Sequence, residues 1–144
     1  MLDVSLLLYN YKKNKGLFMK FDISVPLLGF DDIKEVELEK IDDIFMKMQS
    51  KHNEHISFTL VDPFVLRDYD FEIPNNIQDI LEVKDGSNIL ILNIILIQNP
   101  IENSIVNFIG PLVFNTDNKK AAQVILQEST RYGVAEKISN FLKK

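Results

Sequence analysis

The chain has 144 residues, 46% hydrophobic and 26% charged, enough for one domain with a packed core and unlike disordered, collagen-like or coiled-coil chains. It has no cysteine, so disulfides, thiolate zinc sites and thiol nucleophiles are excluded and a cytoplasmic location is expected. A net charge of −5 and a pI near 5.0 oppose direct binding to nucleic acid or an anionic membrane and favour a basic partner. The first 18 residues put a short apolar run ahead of their lysines and lack a small-residue cleavage site, which makes a poor secretory signal. Patterned sequence starts at Met19, so residues 1–18 are expected to be a poorly ordered extension, Met19 the true start, and residues 19–144 a single domain.

From Met19 the chain alternates Met19, Phe21, Ile23 and Val25 against Lys20, Asp22 and Ser24, the period of a half-buried strand. After a turn over residues 26–30, strand patterns follow at Ile33–Leu38, Ile44–Gln49 and Ile56–Val61, the last two joined by the polar connection Ser50–His55. Beyond Asp62 and Pro63, Tyr69, Phe71 and Ile73 alternate with acids and predict another strand that Pro74 ends. A short helix is expected next, capped by Asn75 or Asn76, with Ile77, Ile80 and Leu81 on one face. Ile89–Ile97 is apolar on both faces, too short to cross a bilayer as a helix, and reads as a central strand covered on each side. Strands around Ser104–Ile109 and Leu112–Asn115 flank Pro111, a further strand is expected at Ala122–Leu126, and Val134, Ile138, Phe141 and Leu142 suggest a closing helix. About eight short strands and two short helices predict a mainly β fold, a small antiparallel barrel or sandwich.

Motifs for catalysis are missing: there is no glycine-rich phosphate loop, no GxSxG and no HExxH. His52 and His55 sit with Glu54 in a polar turn and read as solvated residues, so no metal or cofactor is expected and no catalytic residue is assigned. Seven acids, Asp31, Asp32, Glu35, Glu37, Glu39, Asp42 and Asp43, face only Lys34 and Lys40 in the same stretch. They read as a solvated face or a partner-facing surface.

Four spaced strings, Leu27 to Asp31, Phe58 to Phe64, Asn107 to Asn115 and Gln123 to Leu126, together resemble the FliW family of flagellar assembly factors. Leu27-Leu28-Gly29-Phe30-Asp31 is similar to the family's GLPGFE-type turn, with Pro26 and Leu28 departing from it. Phe58 to Phe64, containing Asp62-Pro63 and followed by Tyr69 and Phe71, is similar to the family's Asp-Pro turn and its next segment. Asn107-Phe108-Ile109-Gly110-Pro111-Leu112-Val113-Phe114-Asn115 resembles N-x-x-A-P-[IV]-[VI]-x-N, with Gly110 for the usual alanine, and Gln123-Val124-Ile125-Leu126 with Tyr132 matches the family's closing stretch. The resemblance implies a protein that binds flagellin and antagonises CsrA, a basic RNA-binding translational repressor, so that flagellin synthesis follows export. It also implies fold-holding roles for Gly29, Asp62, Pro63, Asn107, Pro111, Asn115 and Gln123. Partner contacts are expected at Phe30, Asp31, Asp32, Glu35, Glu37, Phe64 and Tyr69. The rival reading is a β-barrel interaction or ligand-binding module unrelated to flagella.

Overall fold

A computed structural model describes residues 19–127 and 131–142; residues 1–18, and with them the expected N-terminal extension, lie outside the described residues. Among the described residues the strands are β1 (Met19–Val25), β2 (Glu35–Lys40), β3 (Phe45–Ser50), β4 (Ser57–Val61), β5 (Ile89–Leu96), β6 (Ile105–Val106), β7 (Leu112–Asn115), β8 (Lys120–Gln123) and β9 (Glu136–Lys137), with one α-helix, α1 (Asn75–Leu81). Hydrogen bonding runs β4-β3-β2-β1-β8-β7-β5, and β4 pairs with β5 to close seven strands into a barrel. β6 and β9 extend from β5 outside that ring. The expected all-antiparallel arrangement needs one correction, because β1 and β8 run parallel. The chain leaves β1 at residue 25 and returns beside it only at residue 120, long enough for a parallel crossover.

Strand alternation fills the barrel. Phe21, Val36, Leu38, Met46, Met48, Leu60, Leu90, Leu92, Leu112 and Phe114 point inward, with Phe21 and Phe114 edge to face at 4.9 Å, while Leu27 and Ile33 come from the turn after β1. The other face of β5 is equally apolar. Ile89, Ile91 and Ile95 bury against an outer layer with Ile77 and Leu81 of α1, Tyr69, Phe108, Tyr132 and Ile138. Each cluster holds fourteen buried residues, so the outer layer is as large as the barrel interior and its burial is needed for stability. Each large apolar side chain contributes roughly 1.5–3 kcal/mol.

Residues 69–73 are not a strand among the described residues. They run alongside the barrel with Tyr69 buried and Phe71 and Ile73 partly buried, and the Tyr132 hydroxyl takes up both the N–H and the C=O of Asp70. Half-burial alone produced the alternation. The helix starts at Pro74 with no side-chain cap, so Asn75 and Asn76 lie in its first turn rather than capping it, and it stops at Glu82 in the left-handed region (φ 57°). The expected closing helix is absent among the described residues; Glu136–Lys137 forms β9 and Ile138–Asn140 a single 3-10 turn. Pairing of β9 with the free edge of β6 outweighs helical periodicity there. The strand expected at Ser104–Ile109 shrinks to β6, because Asn107 and Pro111 bend the chain between β6 and β7, and the one expected at Ala122–Leu126 is displaced towards the N-terminus as β8, sharing only Ala122 and Gln123 with it.

Candidate functional site

The turn after β1 is built to hold Phe30 outward. Leu27 is buried and bridges to Phe30, whose N–H donates to the Leu27 carbonyl at 2.9 Å, while Gly29 takes φ 89°, which favours glycine. The Gln123 side chain pins this turn from β8: its Oε1 accepts the Leu28 N–H at 2.8 Å and its Nε2 donates to the Gly110 carbonyl at 3.0 Å. Leu28 is left 74% exposed, and the half-exposed Phe30 ring stands edge-on to Phe58 at 5.1 Å.

Folding divides the acidic stretch into three places. Asp31 and Asp32 follow Phe30 on the exposed turn, and neither carboxylate makes a hydrogen bond or ion pair among the described residues. Glu35 and Glu37 share the outer face of β2, where Glu35 lies 3.0 Å from His52 Nε2 and Glu37 pairs with Lys51 at 3.8 Å, and Glu39 stands opposite Lys47 of β3. At the far hairpin Asp42 accepts the Ile44 and Phe45 N–H groups at 2.8 Å each, and Asp43 pairs with Lys40 at 3.2 Å. Unneutralised charge therefore gathers at Asp31 and Asp32, beside an exposed aromatic ring.

Phe64 belongs to a different surface. Asp62 closes β4 by accepting the Phe64 N–H at 2.9 Å, and buried Pro63 starts a 3-10 turn that leaves Phe64 and Val65 exposed. Burial raises the Asp62 carboxyl above its ordinary range, partly opposed by the Phe64 N–H. The Asp62 N–H donates to the Ile44 carbonyl, which brings the exposed Ile44 alongside. Phe30 rests on the start of β4 and Phe64 follows its end, so the two rings do not form one patch.

Tyr69, expected at a partner surface, is instead a core strut, only 5% exposed. Its hydroxyl donates to the Phe108 carbonyl at 2.6 Å and accepts from Asn93 Nδ2 at 3.1 Å, and burial pushes it well above the usual phenol range. It supports Phe64 from below, ring centroids 6.2 Å apart.

The remaining motif residues hold backbone together. Asn107 Oδ1 accepts the N–H groups of Ile109 and Gly110 at 3.0 Å each, and the Pro111 carbonyl accepts from Val124 at 2.9 Å. Asn115 donates to the Leu81 carbonyl at the end of α1 and accepts the Asp117 N–H. Two further structural residues escaped sequence reasoning. Asn93, the polar interruption in the apolar run, is fully buried and donates to both the Tyr69 hydroxyl and the Asn107 carbonyl. A polar side chain in so apolar a strand needs a buried partner, which is the clue it offered. Arg67 lies between the rings of Phe108, Tyr132 and Phe141, 5.1, 4.8 and 5.0 Å from their centroids, and pairs with Glu136 at 3.0 Å. Nothing in its own sequence neighbourhood marked it.

His52 and His55 are exposed in the turn between β3 and β4, and no group of three potential metal ligands occurs among the described residues. Nor is any helix of the described residues long and apolar enough to cross a membrane.

Comparison with known proteins gives concordant results. The family model described as FliW protein matches residues 11–138. A flagellar assembly factor FliW from Sulfurimonas denitrificans is 67% identical over 126 residues, 88% of this chain and all of that protein. Flagellar assembly factor FliW 2 from Wolinella succinogenes is 48% identical over 126 residues, covering 85% of this chain and 92% of its own. A crystal structure of the flagellar assembly factor FliW superposes with a TM-score of 0.79 at 22% identity, over 88% of each chain, a likeness of fold.

Proposed function

The chain belongs to the FliW family, and from that premise we propose that it is a non-catalytic, cytoplasmic regulator of flagellar assembly that binds flagellin and CsrA in alternation. When unexported flagellin accumulates it occupies this protein and CsrA is free to repress flagellin translation. Export of flagellin releases the protein to sequester CsrA, and translation resumes.

The observation that carries the CsrA side is the exposed Phe30 beside two unneutralised carboxylates, Asp31 and Asp32, on a turn fixed by Gln123. A half-exposed ring on a fixed turn suits anchoring, and adjacent negative charge suits a basic, RNA-binding partner. Docked beside bound RNA, these carboxylates would lower RNA affinity by adding negative potential near phosphates, without filling the base-reading site. Glu37 adds less, because Lys51 offsets it, and the Glu35 carboxylate is held in a hydrogen bond with His52. Flagellin is expected to engage an apolar groove or strand edge instead.

The test is a titration of CsrA into the Asp31→Lys/Asp32→Lys variant at two salt concentrations. The reading predicts affinity at least tenfold weaker than that of the unaltered chain at low salt, the gap narrowing as the Debye length falls below about 8 Å. Unchanged affinity in a folded variant would refute it.

A further inference from the structure

We propose that the groove between residues 70–75, the start of α1 and residues 124–127 is a docking site for an extended segment of a partner protein in which lysine or arginine alternates with apolar side chains. This rests on the reading of the chain as a protein-binding regulator. The groove is about 1100 Å³ in volume and open to solvent. Phe71, Ile73, Val124 and Leu126 bring it the margin of the outer core, and Ile125 at its rim is 51% exposed. Asp70, Glu72 and Asp85 supply three exposed carboxylates against one cation, Lys84, and none of the three makes an ion pair among the described residues. An apolar lining under unneutralised acids complements a chain that is apolar and basic by turns.

The backbone specifies an extended occupant. The N–H groups of Val124 and Leu126 donate to the carbonyls of Pro111 and Ile109 at 2.9 and 2.8 Å. Strand alternation then turns the main-chain groups of Ile125 to the opposite edge. There β1 has already left the ladder, its last pairing being Val25 with Ala122, and Ile125 has no backbone partner among the described residues. A closed barrel otherwise hides its strand edges. Along the opposite wall, the Tyr132 hydroxyl takes both main-chain groups of Asp70, and the N–H of Phe71, turned the other way by the same alternation, lacks a partner among the described residues. An added strand would satisfy both walls by main-chain hydrogen bonding while its side chains alternate between the apolar lining and the acids.

The probe is an acetylated and amidated octapeptide alternating valine and lysine, titrated into the full chain and followed by amide chemical shifts. Shifts should concentrate at residues 70–75 and 124–127. Ile125→Pro, which removes an N–H with no partner among the described residues, and Glu72→Lys should each weaken binding at least tenfold with unchanged melting, and a valine–glutamate octapeptide should not bind. Should Ile125→Pro fail to fold, the Glu72→Lys comparison decides alone. Equal binding by the variants or by the glutamate peptide, or no binding at millimolar peptide, would overturn the proposal. A chain that binds this peptide but neither flagellin nor CsrA would refute the proposed function and leave the groove standing. One that binds flagellin and CsrA undiminished by the groove substitutions, and ignores the peptide, would do the reverse.

Discussion

Gln123 joins two turns that lie far apart in sequence, with one amide accepting from Leu28 and donating to Gly110. Gln123→Ala leaves the buried Gly110 carbonyl and the Leu28 N–H unsatisfied, and should cost about 1–3 kcal/mol. Chemical denaturation measures the loss, and amide exchange should speed up at Leu28. A wild-type exchange rate there would show that the turn is held otherwise. Asp62 gives a prediction in pH. Its carboxyl titrates higher in the folded chain than in the unfolded one because burial disfavours its charge. Between the two values the native state keeps a proton that the unfolded state has lost, so this group lowers stability as pH rises from its ordinary value of 3.8 through the folded one. Asp62→Asn keeps an oxygen for the Phe64 N–H and removes the charge, so it should equal the parent at pH 3 and exceed it at pH 7 in unfolding free energy. A less stable variant at pH 7 would contradict the assignment. At this scale the sequence offered residue types without partners: Gln123 stood in a recognisable string, but nothing local tied it to Leu28.

Among the elements, those with alternation and burial on a ladder were legible. β1, β3, β4, β5 and β7 fall within a residue or so of their expected bounds, because alternation over one core-facing side marks strands such as β1 and β4, and an apolar run buried on both faces marks β5. Residues 69–73 and the C-terminal segment misled for one reason: periodicity records which side of a segment is buried, not what its backbone pairs with. Phe141 and Ile138 are core-facing as helical spacing implied, yet they reach the core from a single 3-10 turn and its C-cap, with Arg67 against the Phe141 ring. Arg67→Ala should strip the partner from Glu136 and the cation from three rings, destabilising by roughly 2–3 kcal/mol for a pair that is mostly but not wholly buried. Hydrogen exchange should localise the damage to β6 and β9 and spare β1 to β3. Uniform loss of protection would show that the C-terminal segment is integral to the barrel. Adding Glu136→Gln should recover part of the loss.

As a whole the molecule is a closed barrel thickened on one side, and the proposed partner surfaces lie at different places on it. The acidic character was legible as a stretch, but its division was not, because the partners of Glu35 and Glu37, His52 and Lys51, come from a neighbouring hairpin rather than from the same strand. Phe30 with Asp31 and Asp32 survives as a compact candidate, whereas Tyr69 moves into the core and Phe64 to the other end of β4. In the proposed function one protein serves two partners by turns. Calorimetric titration of CsrA into the full chain, alone and after saturation with flagellin, tests it most directly. CsrA alone should give heat of binding, and that binding should be lost, or at least tenfold weaker, once flagellin is bound. Equal CsrA affinity in both titrations, or no binding of either protein, would contradict it.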